Sequence, residues 1–183
     1  MKKAISMVLV LVLILSLAAC GGAKSENVRI ALTAPMTGNL SQYGESFKNS
    51  VDLACKQWNE KGGVLGKQIE IVLEDTAGDS AQAATIAQKI VSNKSIFAQI
   101  GDFNTACCLA AQPIYDQAKM LQISPTCSAV NFAVGSQWSF ECLGTQDVQG
   151  EFMANWAYDN GARKVAVLYL NSDWGISVDK GFA

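Results

Sequence analysis

Short apolar runs alternate with stretches of helical period along this chain from Val28 onward. Runs of this length, bounded by turn residues, are typical of buried strands. The predicted strands span 28–34, 68–74, 96–100, 120–124 and 164–170, with a weaker candidate at 138–143. Strands that alternate with helices favour a parallel sheet, because a parallel connection needs a long crossover and a helix supplies it. The pattern therefore predicts the α/β class, a parallel sheet with helices on both faces.

Apolar side chains at helical spacing predict the intervening helices. The faces expected to pack inward consist of Phe47, Val51, Ala54, Cys55 and Trp58 in the first helix, of Ala83, Ile86, Ala87 and Ile90 in the second (80–92), and of Val148, Phe152 and Trp156 in a later one (147–160). Gly62 and Gly63 are expected to end the first helix. Asn104 is the predicted N-cap of a helix that extends to about Lys119, with a kink or a restart at Pro113. A further helix is expected to be under way at Ala183.

Ligands of open parallel sheets bind in the crevice beyond the carboxyl ends of the strands. The loops to inspect are therefore the polar segments that follow the predicted strands, 35–43, 101–105, 125–128 and 171–175.

The N-terminus has the pattern of an export signal. Lys2 and Lys3 precede an uncharged, largely apolar run over 4–19, which is shorter than the ~20 residues of a membrane-spanning helix. The run ends in Leu-Ala-Ala-Cys at Cys20, and small residues before a cleavage point mark a secretory signal. This motif resembles a bacterial lipobox, in which the cysteine becomes the lipid-modified first residue of the mature protein. An uncleaved anchor and ordinary signal cleavage are the alternatives. The prediction is a signal peptide over 1–20, lipidation of Cys20 and a flexible tether over 21–27.

Charge and composition exclude several classes of function. The net charge is −2, with no basic stripe of the kind that nucleic-acid binding requires. The chain contains no histidine, which excludes Ser-His-Asp and Cys-His catalysis and imidazole-ligated zinc. Five cysteines follow Cys20 without a CxxC pair, so we interpret the adjacent Cys107 and Cys108 as structural rather than as metal ligands. We expect no enzymatic activity, no metal and no cofactor.

Two segments offer groups that could bind an amino acid. The segment 101–106 opens a predicted helix, whose first N–H groups have no internal partner and favour an anion; Thr105 adds a hydroxyl. A plain helix cap without ligand is the alternative. The segment 123–128 supplies carbonyls and the hydroxyls of Thr126 and Ser128, which accept hydrogen bonds from an ammonium group. An ordinary polar turn is the alternative there, but the two segments together suit a zwitterion.

Aromatic and acidic residues lie in the same set of loops. Tyr43 and Trp174 are candidates for the walls of a pocket, although either could equally be a packing residue. Asp75 and Asp79 could suggest a cation site, but no calcium-loop spacing surrounds them, so we interpret them as part of a solvated loop.

The chain resembles a known family in five stretches, APMTGNLSQYGES, WNEKGGVLGKQIEIVLEDTAGD, QKIV, IYDQAKMLQISPTCS and LNSDWG. They are similar to the leucine/isoleucine/valine-binding proteins, which are solute-binding proteins of branched-chain amino-acid ABC importers. The resemblance implies a type 1 periplasmic-binding-protein fold, a hinged clamp of two α/β lobes. It implies a first lobe over 28–145 and the start of a second lobe over 146–183, because family members are roughly twice as long as this chain.

The resemblance also implies roles for single residues. Thr105 matches the hydroxyl that binds the ligand carboxylate, and Ala106 is a further expected ligand-binding residue. Thr126, through its carbonyl, and Ser128 match groups that bind the ammonium and the carboxylate. Tyr43 matches an aromatic wall of the side-chain pocket. Trp174 matches an aromatic residue of the second lobe that is usually Tyr in branched-chain binders, a departure that bears on the identity of the ligand.

The implied function is capture of an amino acid, branched-chain or similar, outside the cytoplasm. The implied partners are the permease subunits of an ABC importer and, through a lipid anchor, the membrane. The ligand-binding ectodomain of a signalling receptor with the same fold is the alternative; a lipid-anchored Cys20 favours the importer, because such an anchor gives the chain no route across the membrane. An exported α/β enzyme is a third possibility, which the missing histidine and the missing GxSxG motif disfavour.

Overall fold

The computed structural model describes residues 27–183. The predicted signal segment, Cys20 and all but the last residue of the predicted tether lie outside the described residues.

This part of the chain forms five strands and five helices, which alternate as far as the fourth strand; two strands and then two helices follow one another after that. The strands are β1 (Val28–Ala34), β2 (Ile69–Asp75), β3 (Ile96–Ile100), β4 (Leu121–Ser124) and β5 (Ser139–Glu141). The helices are α1 (Ser41–Glu60), α2 (Ser80–Ser92), α3 (Thr105–Ala118), α4 (Gln146–Asp159) and α5 (Asp173–Phe182).

All strands form one parallel sheet in the order β2-β1-β3-β4-β5. In the register, Val28 pairs with Ile69 and Ile30 pairs with Ala98, with a bulge between Arg29 and Ile30. The weak candidate at 138–143 is confirmed as the edge strand β5, whose Phe140 pairs with Ile123. The predicted α/β class with a parallel sheet flanked by helices is therefore confirmed.

The main core lies between the sheet and helices α2 and α3. Its buried residues are Ala31, Ile86, Ala87, Ile90, Ile96, Ala111 and Tyr115. The four apolar residues predicted to face inward on α2 are all buried. Helix α1 contacts β1 and β2, and its Asn59 side chain is hydrogen-bonded to both the N–H and the carbonyl of Ile69.

Helix α1 matches its predicted face only in part. Phe47, Val51 and Cys55 are half-buried, but Trp58 is 55% exposed and Ala54 is exposed as well. The helix ends where predicted, at Gly62 and Gly63, which have φ values of +97° and +78°. A side chain at Gly63 would meet the Lys67 carbonyl, because a Cβ there would lie 1.9 Å from its oxygen.

One helix continues through Pro113, so of the predicted kink or restart the restart does not occur. One prediction for the rest of the chain is wrong. Residues 164–170 form no strand: the segment pairs with none of the five strands of the described sheet, and Leu168 on it is fully exposed. A strand depends on a neighbour for its ladder of hydrogen bonds, so an apolar run alone does not make one.

Helices α4 and α5 pack against each other through glycines rather than through the predicted apolar face. A Cβ on Gly150 would lie 2.6 Å from the backbone of Gly181, so the helix backbones approach closely there. Val148, Phe152 and Trp156 on α4 are 60–70% exposed. Among residues 27–183, no helix combines the length and the apolar character needed to cross a bilayer.

Candidate functional site

The loops after β1, β3 and β4 meet at one edge of the sheet, because these parallel strands all end there. Thr126 in the loop after β4 donates a hydrogen bond from its hydroxyl to the carbonyl of Phe103 in the loop after β3, at 3.0 Å. The structure therefore brings together the two segments, 101–106 and 123–128, that the sequence proposes as halves of one site.

Helix α3 begins within this edge. Asn104 is its N-cap, as predicted, and its side chain accepts a hydrogen bond from the Ala106 N–H at 2.9 Å. Thr105, the first residue of the helix, is 5% exposed. The helix therefore begins at this edge with the Ala106 N–H already occupied by the cap.

Ser128 is held by a residue that the sequence did not suggest. It is 1% exposed, and its carbonyl accepts a hydrogen bond at 2.9 Å from the N–H of Gln146, the first residue of α4. The Gln146 amide nitrogen also donates to the Ser128 hydroxyl. The loop after β4 is thereby tied to the start of α4.

An aromatic cluster lies beside the start of α3. Tyr43 on α1 stacks on Phe103, with ring centroids 4.1 Å apart and planes 8° from parallel. Phe47 packs edge-on against the same ring at 6.1 Å. Phe103 was not predicted, and no local pattern could have indicated it, because its partners lie on a distant helix. Trp174, in the first turn of α5, is 47% exposed and is not part of this cluster.

Asp75 anchors the loop that leads into α1. Its carboxylate accepts hydrogen bonds from the Met36 N–H at 2.8 Å, the Thr37 hydroxyl at 2.7 Å and the Ala77 N–H at 2.8 Å. Burial alone would raise the pKa of Asp75, but these hydrogen bonds outweigh it and lower the pKa. Asp79 is the N-cap of α2. The interpretation of Asp75 and Asp79 as merely solvated therefore misses their structural roles.

Asp102 lies buried beneath the site, 3% exposed. Its carboxylate accepts hydrogen bonds from the Thr76 hydroxyl at 2.6 Å and from the Asn104 N–H at 3.0 Å. Burial raises the pKa of Asp102 despite these donors. The residue thus holds the loop after β3 against the loop after β2.

The cysteines near the site are packing residues in this structure. Cys107, Cys108 and Cys127 are buried and unbridged, and burial raises the pKa of Cys107 to about 12, which leaves it a poor nucleophile. Within residues 27–183, no three side chains of the metal-ligating types converge.

Comparison with known proteins decides the family. The profile of the periplasmic binding protein family matches residues 27–183, the whole of the described chain. The chain belongs to the periplasmic binding protein family. A Leu/Ile/Val-binding protein homologue of Brucella abortus is 32% identical over 162 residues, which make up 87% of this chain and 43% of the relative.

Solved structures of periplasmic binding proteins share the fold. A branched-chain amino acid transporter substrate-binding protein of Streptococcus pneumoniae, in complex with isoleucine, has a TM-score of 0.80 and 26% identity over 85% of this chain and 45% of its own. A solute-binding protein of Rhodopseudomonas palustris, in complex with 3,4-dihydroxybenzoic acid, has a TM-score of 0.79 and 26% identity over 86% of this chain and 43% of its own. The chain thus spans less than half the length of these proteins.

Proposed function

We propose that the protein is the extracytoplasmic solute-binding component of an ABC importer and captures an amino acid, branched-chain or similar, without chemical change. The observation that carries the proposal is the junction of the loops after β3 and β4, where the Thr126 hydroxyl binds the Phe103 carbonyl. This junction puts the start of a helix, which favours a carboxylate, next to a loop rich in hydrogen-bond acceptors, which favours an ammonium.

Each proposed contact has a distinct role in this site. The start of α3, with the Thr105 hydroxyl and the Ala106 amide, would hold the carboxylate. To bind the Ala106 N–H, the ligand carboxylate would have to compete with the Asn104 side chain, which accepts a hydrogen bond from the same N–H. The Thr126 carbonyl and Ser128 would bind the ammonium end, and Tyr43 would form the wall against the ligand side chain, supported from behind by Phe103.

The proposed clamp divides the chain at the start of α4. Residues 28–145 would form the first lobe, and residues 146–183 would begin a second lobe that carries Trp174. A ligand bound between two lobes loses most of its contact with water, which is how such sites gain affinity. The partners would be permease subunits, and a lipid on Cys20 would anchor the protein to the outer face of the cell membrane.

A thermal-shift screen of the full-length protein against the twenty amino acids tests this function. A ligand that binds only the folded state adds RT ln(1 + [L]/Kd), about 2.7 kcal/mol at a hundredfold excess over Kd. We expect a shift with one or a few apolar amino acids, followed by saturable calorimetric titration. A flat response to all twenty would refute the proposal.

An aromatic carboxylic acid is a second candidate ligand. The Tyr43–Phe103 stack favours it, because a flat ring could extend the stack while its carboxylate lies at the start of α3. The similar Rhodopseudomonas protein was solved with such an acid. Including 3,4-dihydroxybenzoic acid in the same screen separates the candidates, because an amino-acid site that uses the ammonium should not respond to it.

A further inference from the structure

Two buried cysteines meet at the junction of the loops after β3 and β4. Cys108 lies in the first turn of α3, Cys127 lies in the loop after β4, and both are fully buried. The hydroxyl of Ser124 connects them, because it lies 3.3 Å from the Cys108 Sγ and accepts a hydrogen bond from the Cys127 N–H at 2.9 Å. Both cysteines also belong to one apolar cluster with Phe132. The fold therefore brings together two thiols from separate segments of the chain.

The two thiols interact directly. The hydrogen bond between them raises the pKa of Cys108 and lowers the pKa of Cys127. The Cys108 thiol is thus the donor of this hydrogen bond, and the Cys127 sulfur is the acceptor. Because the thiolate is the reactive form of a cysteine, Cys127 is the better nucleophile of the two.

The other cysteines of residues 27–183 are placed differently. Cys107 precedes Cys108, but successive side chains of a helix point about 100° apart, and the Cys107 thiol is hydrogen-bonded to a threonine of the loop after β2. Cys55 is half-buried on α1, and Cys142 is exposed just beyond the end of β5. The fold therefore favours Cys108 and Cys127 as the pair that can become covalently linked.

We propose that Cys108 and Cys127 form a disulfide that links the start of α3 to the loop after β4. Conditions outside the cytoplasm favour disulfides, so the inference rests on the extracytoplasmic location within the proposed function, but it does not depend on which ligand binds. The bond would join the segment that carries Thr105 to the segment that carries Thr126. It would reinforce a junction that otherwise depends on hydrogen bonds such as the one from Thr126 to Phe103.

The oxidant in this step is a second disulfide, carried by a small molecule or by a protein. The Cys127 thiolate attacks one sulfur of that disulfide, which forms a mixed disulfide and releases the other sulfur as a thiolate. The Cys108 sulfur, after loss of its proton, attacks the Cys127 sulfur, which completes the bond and releases the second thiolate of the oxidant. The two cysteines have then lost two electrons and two protons, and the oxidant has gained them as two thiols.

Burial determines when the bond can form and how long it lasts. Neither cysteine is exposed in the folded chain, so exchange has to take place while the chain folds. In the folded protein the same burial keeps reductants from the sulfurs, because thiol–disulfide exchange depends on access. A disulfide also limits the conformations of the unfolded chain, so the cross-link should make the protein harder to unfold.

Peptide mapping of the full-length protein tests the bond. Cells that export the protein are lysed in an alkylating agent, and the protein is digested with trypsin without reduction. Trypsin releases Cys108 in the peptide 95–119 and Cys127 in the peptide 120–163. We expect the wild type to yield these two peptides joined, lighter by two hydrogen atoms than the sum of the reduced peptides. Fragmentation of the joined peptides identifies the linked residues in the wild type itself, whether or not a variant folds.

The second cysteine of each peptide supplies a matched control. The joined species should disappear in Cys108→Ala and in Cys127→Ala and should persist in Cys107→Ala and in Cys142→Ala. Cys107 is as fully buried as Cys108, so the pair of variants also separates loss of the cross-link from loss of a buried thiol. A reductant should lower the urea midpoint of the wild type and of Cys107→Ala, and it should leave that of Cys108→Ala unchanged.

The outcomes distinguish this inference from the proposed function. An unlinked wild type in the extracytoplasmic fraction, or a link that survives Cys108→Ala, would overturn the disulfide and leave the proposed function intact. A wild type found only in the cytoplasm, by fractionation of the same cells, would overturn the proposed location and the disulfide together.

Discussion

Replacing Asp102 by asparagine or by alanine distinguishes what its hydrogen bonds contribute to stability from what its charge contributes. The carboxylate accepts from the Thr76 hydroxyl and from the Asn104 N–H, and Thr76 is itself fully buried. In Asp102→Asn the amide oxygen can keep the Asn104 N–H, while the Thr76 hydroxyl can rotate to accept from the amide nitrogen. In Asp102→Ala both donors lose their acceptor.

The size of the effect follows from the burial of these donors. A buried donor left without a partner costs about 1–3 kcal/mol, and the Thr76 hydroxyl is such a donor in Asp102→Ala. The Asn104 N–H at the start of α3 is half-buried and adds less. We therefore expect Asp102→Ala to lower the free energy of unfolding by about 2–4 kcal/mol, and Asp102→Asn to change it by less than about 1 kcal/mol at neutral pH.

The charge adds a dependence on pH. Burial raises the pKa of Asp102, so the folded state holds this proton more tightly than the unfolded state does. Protonation of Asp102 stabilises the fold in full below the pKa that the residue has in the unfolded chain, about 3.9. This stabilisation is lost as the pH rises through the higher pKa of Asp102 in the folded protein. The wild type should therefore lose stability relative to Asp102→Asn across that window.

Urea unfolding of the full-length wild type and both variants between pH 4 and pH 8 measures these differences. Circular dichroism at each pH gives the free energy of unfolding. The reasoning is refuted if asparagine destabilises the protein as much as alanine does, or if the difference between the wild type and Asp102→Asn is the same at every pH.

Three further predictions concern the backbone, the anchor and the ligand. Gly101→Ala should lower the free energy of unfolding by more than about 3 kcal/mol, as severe disruption of a core does, because its Cβ would lie 2.0 Å from the Thr33 carbonyl oxygen. Gly62→Ala is the control, because Gly62 also has a positive φ but no atom lies within 4 Å of the added Cβ. It should lower the free energy of unfolding by only about 1 kcal/mol in the same urea assay. Equal losses in the two variants would contradict the clash at Gly101. Cys20→Ala should move the protein from the membrane to the soluble fraction or leave the precursor uncleaved, and mass spectrometry that finds an unmodified N-terminus elsewhere in the wild type would disprove lipidation. Thr105→Ala in the full-length protein should weaken amino-acid binding by about 1.5–3 kcal/mol in calorimetry, and an unchanged affinity would remove Thr105 from the site.

Local patterns in the sequence were sufficient where a structure is determined by residues close along the chain. The inward face of α2 follows from the spacing of four apolar residues within two turns. The cap at Asn104 requires only a side-chain acceptor two residues before the N–H that it binds. Both predictions are confirmed because the energy that decides them is local.

The remaining features depend on partners that are distant in sequence. Helical spacing shows that Phe152 and Trp156 share a face of α4, but not whether anything covers it, and both are exposed. The apolar run 164–170 has strand composition but no neighbouring strand in the described sheet. Phe103 meets Tyr43 from sixty positions away, and Ser128 meets Gln146 across the start of a helix, so neither contact leaves a local signal.

The order of the strands also affects how fast the chain can fold. Pairing Val28 with Ile69 closes a loop of about 40 residues, and pairing Ile30 with Ala98 closes one of nearly 70. Sheets built from such distant pairs form slowly, because the chain loses conformational entropy when each loop closes, before the contacts that offset this loss have formed. For a protein exported as proposed, such a delay would be useful. Until β1 pairs with β2 and β3, the polypeptide is still unfolded and could be threaded through a translocation pore before it folds on the far side.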